Sequence, residues 1–569
     1  MHLPVFQMPS PDLRRYVKES LTFDLKAGFI TAIVALPLAI AFAIASGVPP
    51  IMGLYTAVVA GVLGSSFGGS RFSITGPTGA MTVIILSVVN QFGVEGLLLA
   101  GFLAGLIQLA FGVMKIGQLV KFIPFPIVSG FTAGIGVIIF VGQIPNALGL
   151  QLPPKEFVSE ALLQIAEHAG SANPWALGIA VGTVAMLTWL PKIMASSHKL
   201  GPLKSLPPSL FALFLSTALV YFLALPLPLV GDIPMGLPTL HLFPVNLDLI
   251  HDLLPSALTI ALLGSIEALL CAVVCDGMTN TKHDSNRELI GQGISNLFMP
   301  FFNGIPATAA IARSAVNVRE GAKTKLAGVI HALILLLILL FFAPWARFIP
   351  KAFLAGILLF VSMRMIDLEE FKTILHISKS EALVLFATFG LTVFTNLVFA
   401  IQMGMTFAVF LLFIRLTQMA EITSFEAYQG RNAKVAAMLE ANPRLKENVE
   451  LYSINGPFFF GAMHVFDSRL GTHLALQAPY IVLRLRNVPL IDASGVTRLA
   501  AFIAHAHKQG RTVLLAAVQP AVAERLQHSP EYRELVKAEH LFDSADKALE
   551  WVEKRLGGKP MPFIFPRRQ

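Results

Sequence analysis

From about residue 24 to residue 420 the chain alternates long apolar runs with short polar joints, and beyond that the pattern changes. The apolar runs are roughly 15–24 residues long, the length of helix that crosses a hydrocarbon core. They predict about fourteen membrane segments ending near 418. Two of them break the pattern. The third, over 77–91, and the tenth, over 308–318, are too short or too polar to cross alone. Each follows a proline (Pro77, Pro306) and a glycine-containing linker. They stand seven segments apart. Interrupted helices at matching places in two halves are the sequence sign of an inverted repeat with a binding site near the membrane midplane. The halves fall at 24–226 and 255–419. After 430 charge returns at soluble density. The runs YIVLRL (480–485) and TVLLAAV (512–518) predict strands, and 495–509 and 545–556 have helical periodicity. The pattern therefore predicts an α-helical polytopic membrane domain over 24–420, built as seven plus seven segments. A small α/β domain over 430–560 follows it.

Composition agrees with that division. Of 569 residues 55% are hydrophobic and 13% charged, with a mean hydropathy of +0.70, against about 25% charge in an ordinary soluble domain. A purely soluble protein is excluded. The segment 1–23 is mixed, carries Arg14, Arg15 and Lys18, and does not have the form of a cleaved signal. Charge placement sets the orientation. With the N-terminus in the cytoplasm, one set of loops holds Arg71, Lys115, Lys192, Lys282, Arg319 and Lys372, among others. The opposite loops keep only Lys155, Arg347 and Lys351, and carry Glu95, Glu160 and Asp232 instead. This bias places the C-terminal domain in the cytoplasm, and the expected location is the cell (inner) membrane. The net charge of +8 belongs to that bias. There is no continuous basic patch and no RNA-binding motif, so no nucleic-acid partner is expected. Cys271 and Cys275 lie one helical turn apart, a poor geometry for a disulfide.

The candidate chemistry sits in the broken segments. Arg313, in GIPATAAIARSAVN (304–317), would cost about 2.5–3.5 kcal/mol at mid-bilayer, so it should face protein or a watery cavity. If 308–318 is a half-helix, Arg313 lies within its first two turns, where exposed N–H groups carry roughly +0.5 charge. The third segment offers a second such start at Thr78 and Gly79. Two facing helix starts with an arginine beside them make an anion site. Glu267, in LLGSIEALLCAVVCDG (262–277), lies mid-span among apolar neighbours. It either carries a proton or forms a fixed ion pair with Arg313. A sodium site is disfavoured, because one turn further on stands Cys271, a poor ligand for a hard cation. Arg313 and two helix starts together offer about +2, an ionised Glu267 cuts this to about +1, and protonation restores it. Proton and dianion should then load together. On the first span, Pro37 frees a backbone carbonyl, and Phe42 either lines a cavity or packs in the core. The pairs Gly101/Gly105 and Gly130/Gly134 have the spacing that lets helices approach closely. In the tail, Asp492 of NVPLIDASGV (487–496) is placed to cap a helix.

These stretches resemble a known family. IASGVPPIMGLY (44–55), SRFSITGPTGA (70–80), TKHDSNRELIGQG (281–293) and IARSAVNVREGA (311–322), in this order, resemble the SulP sulfate-permease anion transporters, and the tail resembles a STAS domain. The resemblance implies core and gate domains, an elevator motion and a homodimer. It implies an anion site at Phe42, Thr78, Gly79, Ala312, Arg313 and Ser314. A glutamate at position 267 looks like the proton-coupled members. IEALLCAVVCDGMTNTKH (266–283) is most similar to bacterial members that carry C4-dicarboxylates such as fumarate and succinate. STAS domains that act as phospho-switches carry a serine directly after the aspartate of the turn. Here that residue is Ala493, with Ser494 next. The expected function is proton-coupled symport of a dicarboxylate. The alternatives are transport or exchange of sulfate, bicarbonate or chloride without protons, and a membrane scaffold that binds partners through the tail. An enzyme is not expected: the sequence holds no metal cluster, nucleophile–histidine pair or P-loop, and no cofactor is called for.

Overall fold

The structure is a computed structural model describing residues 19–117, 124–155, 157–196, 207–243, 247–395, 397–424, 433–466 and 478–557. Most of the expected segment 1–23 lies outside the described residues. The chain divides into two compact units, Met1–Thr406 and Phe407–Gln569.

The first unit opens with α1 (Leu21–Ala45) and α2 (Pro50–Phe67). A two-residue strand β1 (Thr75–Gly76) leads into α3 (Gly79–Val113), followed by α4 (Phe125–Ala147), α5 (Val158–His168), α6 (Pro174–Ser196) and α7 (Pro208–Phe222). The second half runs α8 (Leu247–Thr279), α9 (Ser285–Phe298), β2 (Thr308–Ala309), α10 (Ile311–Arg319) and α11 (Leu326–Phe342). It ends with α12 (Lys351–Met365), α13 (Leu368–Ile377), α14 (Lys379–Phe394) and α15 (Leu397–Gln418). Among the described residues, seven helices are each long and apolar enough to cross a membrane. The other expected spans are shorter helices, apart from α15, which has 22 residues. The third and fourth expected spans are the two arms of α3, divided at Gly93, whose backbone is non-helical (φ 70°, ψ −175°). Two short amphipathic helices, α5 and α13, were not expected. Glu160 in one and Glu369, Glu370 and Lys372 in the other interrupt any apolar run there.

Small residues set the helix distances. A Cβ on Gly53 of α2 would fall 2.2 Å from the Ala39 carbonyl oxygen of α1, and one on Gly105 of α3 2.4 Å from the Leu297 nitrogen of α9. Gly130 and Gly134 do the same for α4 against Leu385 and Thr392 of α14. Backbones touch at these crossings, and van der Waals contact replaces the hydrophobic drive that lipid does not supply.

Two buried carboxylates fix the loops beside the broken segments. Glu288 of α9 accepts from the N–H groups of Gly69 (2.7 Å) and Ser70 (2.8 Å). Asp24 of α1 accepts from Lys323 N–H (2.7 Å), Thr324 N–H (3.1 Å) and the Thr324 hydroxyl (2.5 Å). Charge-assisted bonds of this kind are roughly twice as strong as neutral ones.

The second unit carries a five-stranded sheet. β3 (Glu421–Ser424) pairs antiparallel with β4 (Val449–Asn455), which is preceded by α16 (Ala433–Ala441) and α17 (Pro443–Asn448). Then come α18 (Met463–Phe466), β5 (Tyr480–Asn487), α19 (Ala493–Lys508), β6 (Thr512–Ala516), α20 (Pro520–Leu526), α21 (Pro530–Lys537), β7 (Leu541–Phe542) and α22 (Ala545–Gly557). The sheet order is β3-β4-β5-β6-β7, parallel from β4 onward. Both expected strands and both expected helices are present. The sheet begins before the expected boundary at 430, because β3 is too short to show as an apolar run. The Asp492 carboxylate accepts from Gly495 N–H (2.7 Å) at the start of α19 and from Phe460 N–H (3.1 Å). It is a helix cap that also ties down a loop.

Candidate anion site

The two broken segments meet. β1 and β2 pair antiparallel, with Thr75 opposite Ala309 and Gly76 opposite Thr308. Each strand is followed within a few residues by a helix start, so the pairing brings the starts of α3 and α10 to one place. Two residues per strand cannot be read from periodicity, yet they fix the register of the site.

At the first start Thr78 is the N-cap, in an extended conformation, and its side chain does not cap the helix. The hydroxyl instead donates to Glu267 Oε2 of α8 at 2.9 Å. Gly79 is covered by apolar groups: a Cβ there would lie 3.4 Å from Phe42 Cε1 and 3.1 Å from Ile139 Cδ1. Phe42 is buried and lies over this helix start. At the second start the N-cap is Ala310, which has no side-chain acceptor, so the first N–H groups of α10 lack a helical partner. Ala312 is exposed. Ser314 is buried; its hydroxyl accepts from Ile74 N–H (2.9 Å) and from the Cys271 thiol (3.1 Å). That side chain is engaged within the protein, stitching α10 to the residue just before β1 and to α8.

Arg313 reaches from α10 across to the linker ahead of α3. It is 1% exposed, and Nη2 donates to the Pro77 carbonyl at 2.7 Å. Nε and Nη1 have no hydrogen-bond partner. Gly76 makes room for it, since a Cβ there would sit 2.6 Å from Nη1. Among the described residues no carboxylate lies within 4.0 Å of the guanidinium, so the fixed Glu267–Arg313 ion pair is not formed. A buried guanidinium with free donors and no directly paired carboxylate is costly alone. It suits a planar or tetrahedral oxyanion.

Sequence reasoning read Pro77 only as a helix break and missed Gly76, Ile139 and His331. The last is fully buried in α11 with neither ring nitrogen bonded. A histidine inside LAGVIHALILLLILLFF (326–342) was the available signal. The described residues hold no group of three or more His, Cys, Asp or Glu suited to a metal ion.

Half-helices that converge on a buried arginine inside a polytopic helical unit define a membrane carrier for anions. Comparison with known proteins gives the family. Residues 21–388 match the sulfate permease family and 440–548 match the STAS domain, and the chain belongs to the sulfate permease family of membrane anion transporters. It is 38% identical to the candidate sulfate transporter YvdB of Bacillus subtilis, over 92% of this chain and 96% of that one. It is 34% identical to the bicarbonate transporter BicA of Synechocystis, over 95% of each. The structure superposes on SLC26A9 with a TM-score of 0.86 at 18% identity, over 96% of this chain and 92% of that one. On the transmembrane domain of a cyanobacterial BicA the TM-score is 0.59 at 36% identity, over 66% of this chain and 95% of that one.

Proposed function

We propose that the protein is a proton-coupled carrier of a small oxyanion, with Arg313 and the starts of α3 and α10 as the anion site and Glu267 as the proton carrier. The single observation behind this reading is Arg313, buried with Nε and Nη1 unbonded and, among the described residues, no carboxylate within 4.0 Å. Arg313 would bind the anion, and Thr78, Gly79 and Ala312 would present backbone N–H groups to it. Phe42 would cover it, and Ser314 would hold α10 in place. Glu267 meets this site through the Thr78 hydroxyl and through its electrostatic interaction with Arg313, to which it is not bonded. Its protonation would remove the one nearby negative charge that competes with an anion, so proton and anion favour each other's binding.

Relatives named for sulfate and bicarbonate make those two anions the first substrates to test. The C4-dicarboxylate expectation rests on motif resemblance alone and is the third. The reading also takes an elevator motion, a homodimer, and an inner-membrane location with the N-terminus and STAS domain cytoplasmic, as the loop charges argue.

One liposome panel tests it: labelled sulfate, bicarbonate and fumarate, each with and without an imposed pH gradient. Wild type should take up at least one, faster with protons driven in the same direction. Arg313→Ala should weaken anion binding about 10–100-fold, the worth of charge-assisted bonds of roughly 1.5–3 kcal/mol. Calorimetry that shows unchanged affinity removes Arg313 from the site. Glu267→Gln should bind anion while losing the response to the gradient. A mutant that still moves protons during uptake removes Glu267 as their carrier.

A further inference from the structure

A cavity of about 330 Å³ lies beside the half-helix site, between α1, α3 and α4 and the stretch 151–155. That volume is at the lower end of ligand pockets, roughly 300–1,000 Å³. Its apolar wall includes Ile44, Leu86 and Ile139, and its polar wall is Gln143, Asn146, Gln151, Gln164, Lys155 and Lys351. We propose that this cavity is a second anion site, an antechamber that takes a small oxyanion before it reaches the starts of α3 and α10.

Three observations carry it. The first is chemical. Both charged lining residues are lysines, four more side chains are amides able to donate, and no carboxylate is among the described lining residues. Lys155 lies 4.0 Å from Glu160, a loose pair about half exposed. Lys351 makes no ion pair among the described residues, and it opens α12 at the positive end of that helix. The second is position. Thr82 lines the cavity, and its hydroxyl donates to the Gly79 carbonyl at 2.6 Å. Ile139 lines it too, while its Cδ1 covers Gly79 on the other side. Thr82 and Ile139 thus belong both to the cavity wall and to the surroundings of Gly79 at the start of α3. The third is economy of charge. Loop placement leaves only Lys155, Arg347 and Lys351 as basic residues on that face, and two of the three line this cavity. Cations gathered in a low-dielectric cleft raise the local anion concentration.

The ligand class rests on the anion-transport reading, so the test separates the two. Lysines of the full-length protein are methylated reductively in detergent, with sulfate, with bicarbonate, or with gluconate at matched ionic strength. Labelling at each lysine is read by peptide mass spectrometry. Sulfate or bicarbonate should slow labelling of Lys351 and Lys155 several-fold, with Lys192 unaffected, and should do so equally in Arg313→Ala. No protection in wild type overturns the proposal. Protection that vanishes in Arg313→Ala overturns it as well, because the anion then occupies the central site alone. In liposomes, Lys351→Ala should raise the half-saturating concentration about tenfold at low salt with an unchanged maximal rate, and the difference should close near 1 M salt, where the Debye length is about 3 Å. An unchanged half-saturating concentration at low salt counts against it. A protected wild type that moves no anion sinks the transport reading and leaves the antechamber standing.

Discussion

At the residue scale the site is governed by one buried charge with no directly bonded counter-ion. Arg313 has a single acceptor, the Pro77 carbonyl, where a guanidinium offers five N–H donors. The unmet donors and the rigid fork create the demand that an oxyanion fills. Gly76 is part of this arrangement, because its missing side chain is the space in which Nη1 sits. Gly76→Ala should push the guanidinium aside and weaken anion binding about tenfold, roughly 1.4 kcal/mol. Gly182→Ala, in a position with nothing within 4 Å, should leave affinity unchanged in the same titration. Arg313 and Glu267 were legible in the sequence, since a charge inside an apolar run must have a reason. Gly76 was not, because a glycine that makes room for a side chain 237 positions later looks like any other linker glycine. Ser314 was legible as part of the site, but its hydroxyl turns out to serve the α10–β1–α8 junction.

At the element scale, fourteen expected spans depended on local apolar length, and that signal finds helices well. It does not find the β1–β2 pairing, which is two residues long and depends on contacts more than 230 positions apart. Nor does it find α5 and α13, whose charges break the runs. The third and fourth spans were read as separate, and Gly93, non-helical at φ 70°, divides α3 between them. A Cβ at Gly93 meets nothing within 4 Å, so Gly93→Ala tests backbone strain without steric contact. It should cost about 1–3 kcal/mol, seen as a lower melting temperature with anion affinity intact. Gly178→Ala, also in open space, should melt like wild type. Equal melting of the two variants would show that the bend relaxes freely.

At the scale of the whole molecule, the sheet begins at Glu421 and its unit at Phe407, ahead of the expected boundary. Rings explain part of this: Phe413 of α15 stacks on Phe460 at 5.0 Å and meets Phe459 edge-on at 5.6 Å. Deleting 430–569 would therefore leave β3 without β4, an unpaired edge that invites aggregation. Ending the chain after Gln418 should give more dispersed protein than ending it at 429, by size-exclusion chromatography. Its uptake rate per molecule should stay near wild type; a complete loss of uptake in a well-dispersed truncation would make the STAS domain part of the transport cycle. The sequence alone determined that the chain spans a membrane, that a soluble α/β domain follows, and that an arginine and a glutamate lie where charge is expensive. These follow from composition and local periodicity, which each stretch carries in itself. Only the tertiary structure decided that the two helix starts converge, that Arg313 lacks a carboxylate partner, and that a lysine-lined cavity adjoins them. Those facts depend on register between segments far apart in the chain, and no local pattern encodes it.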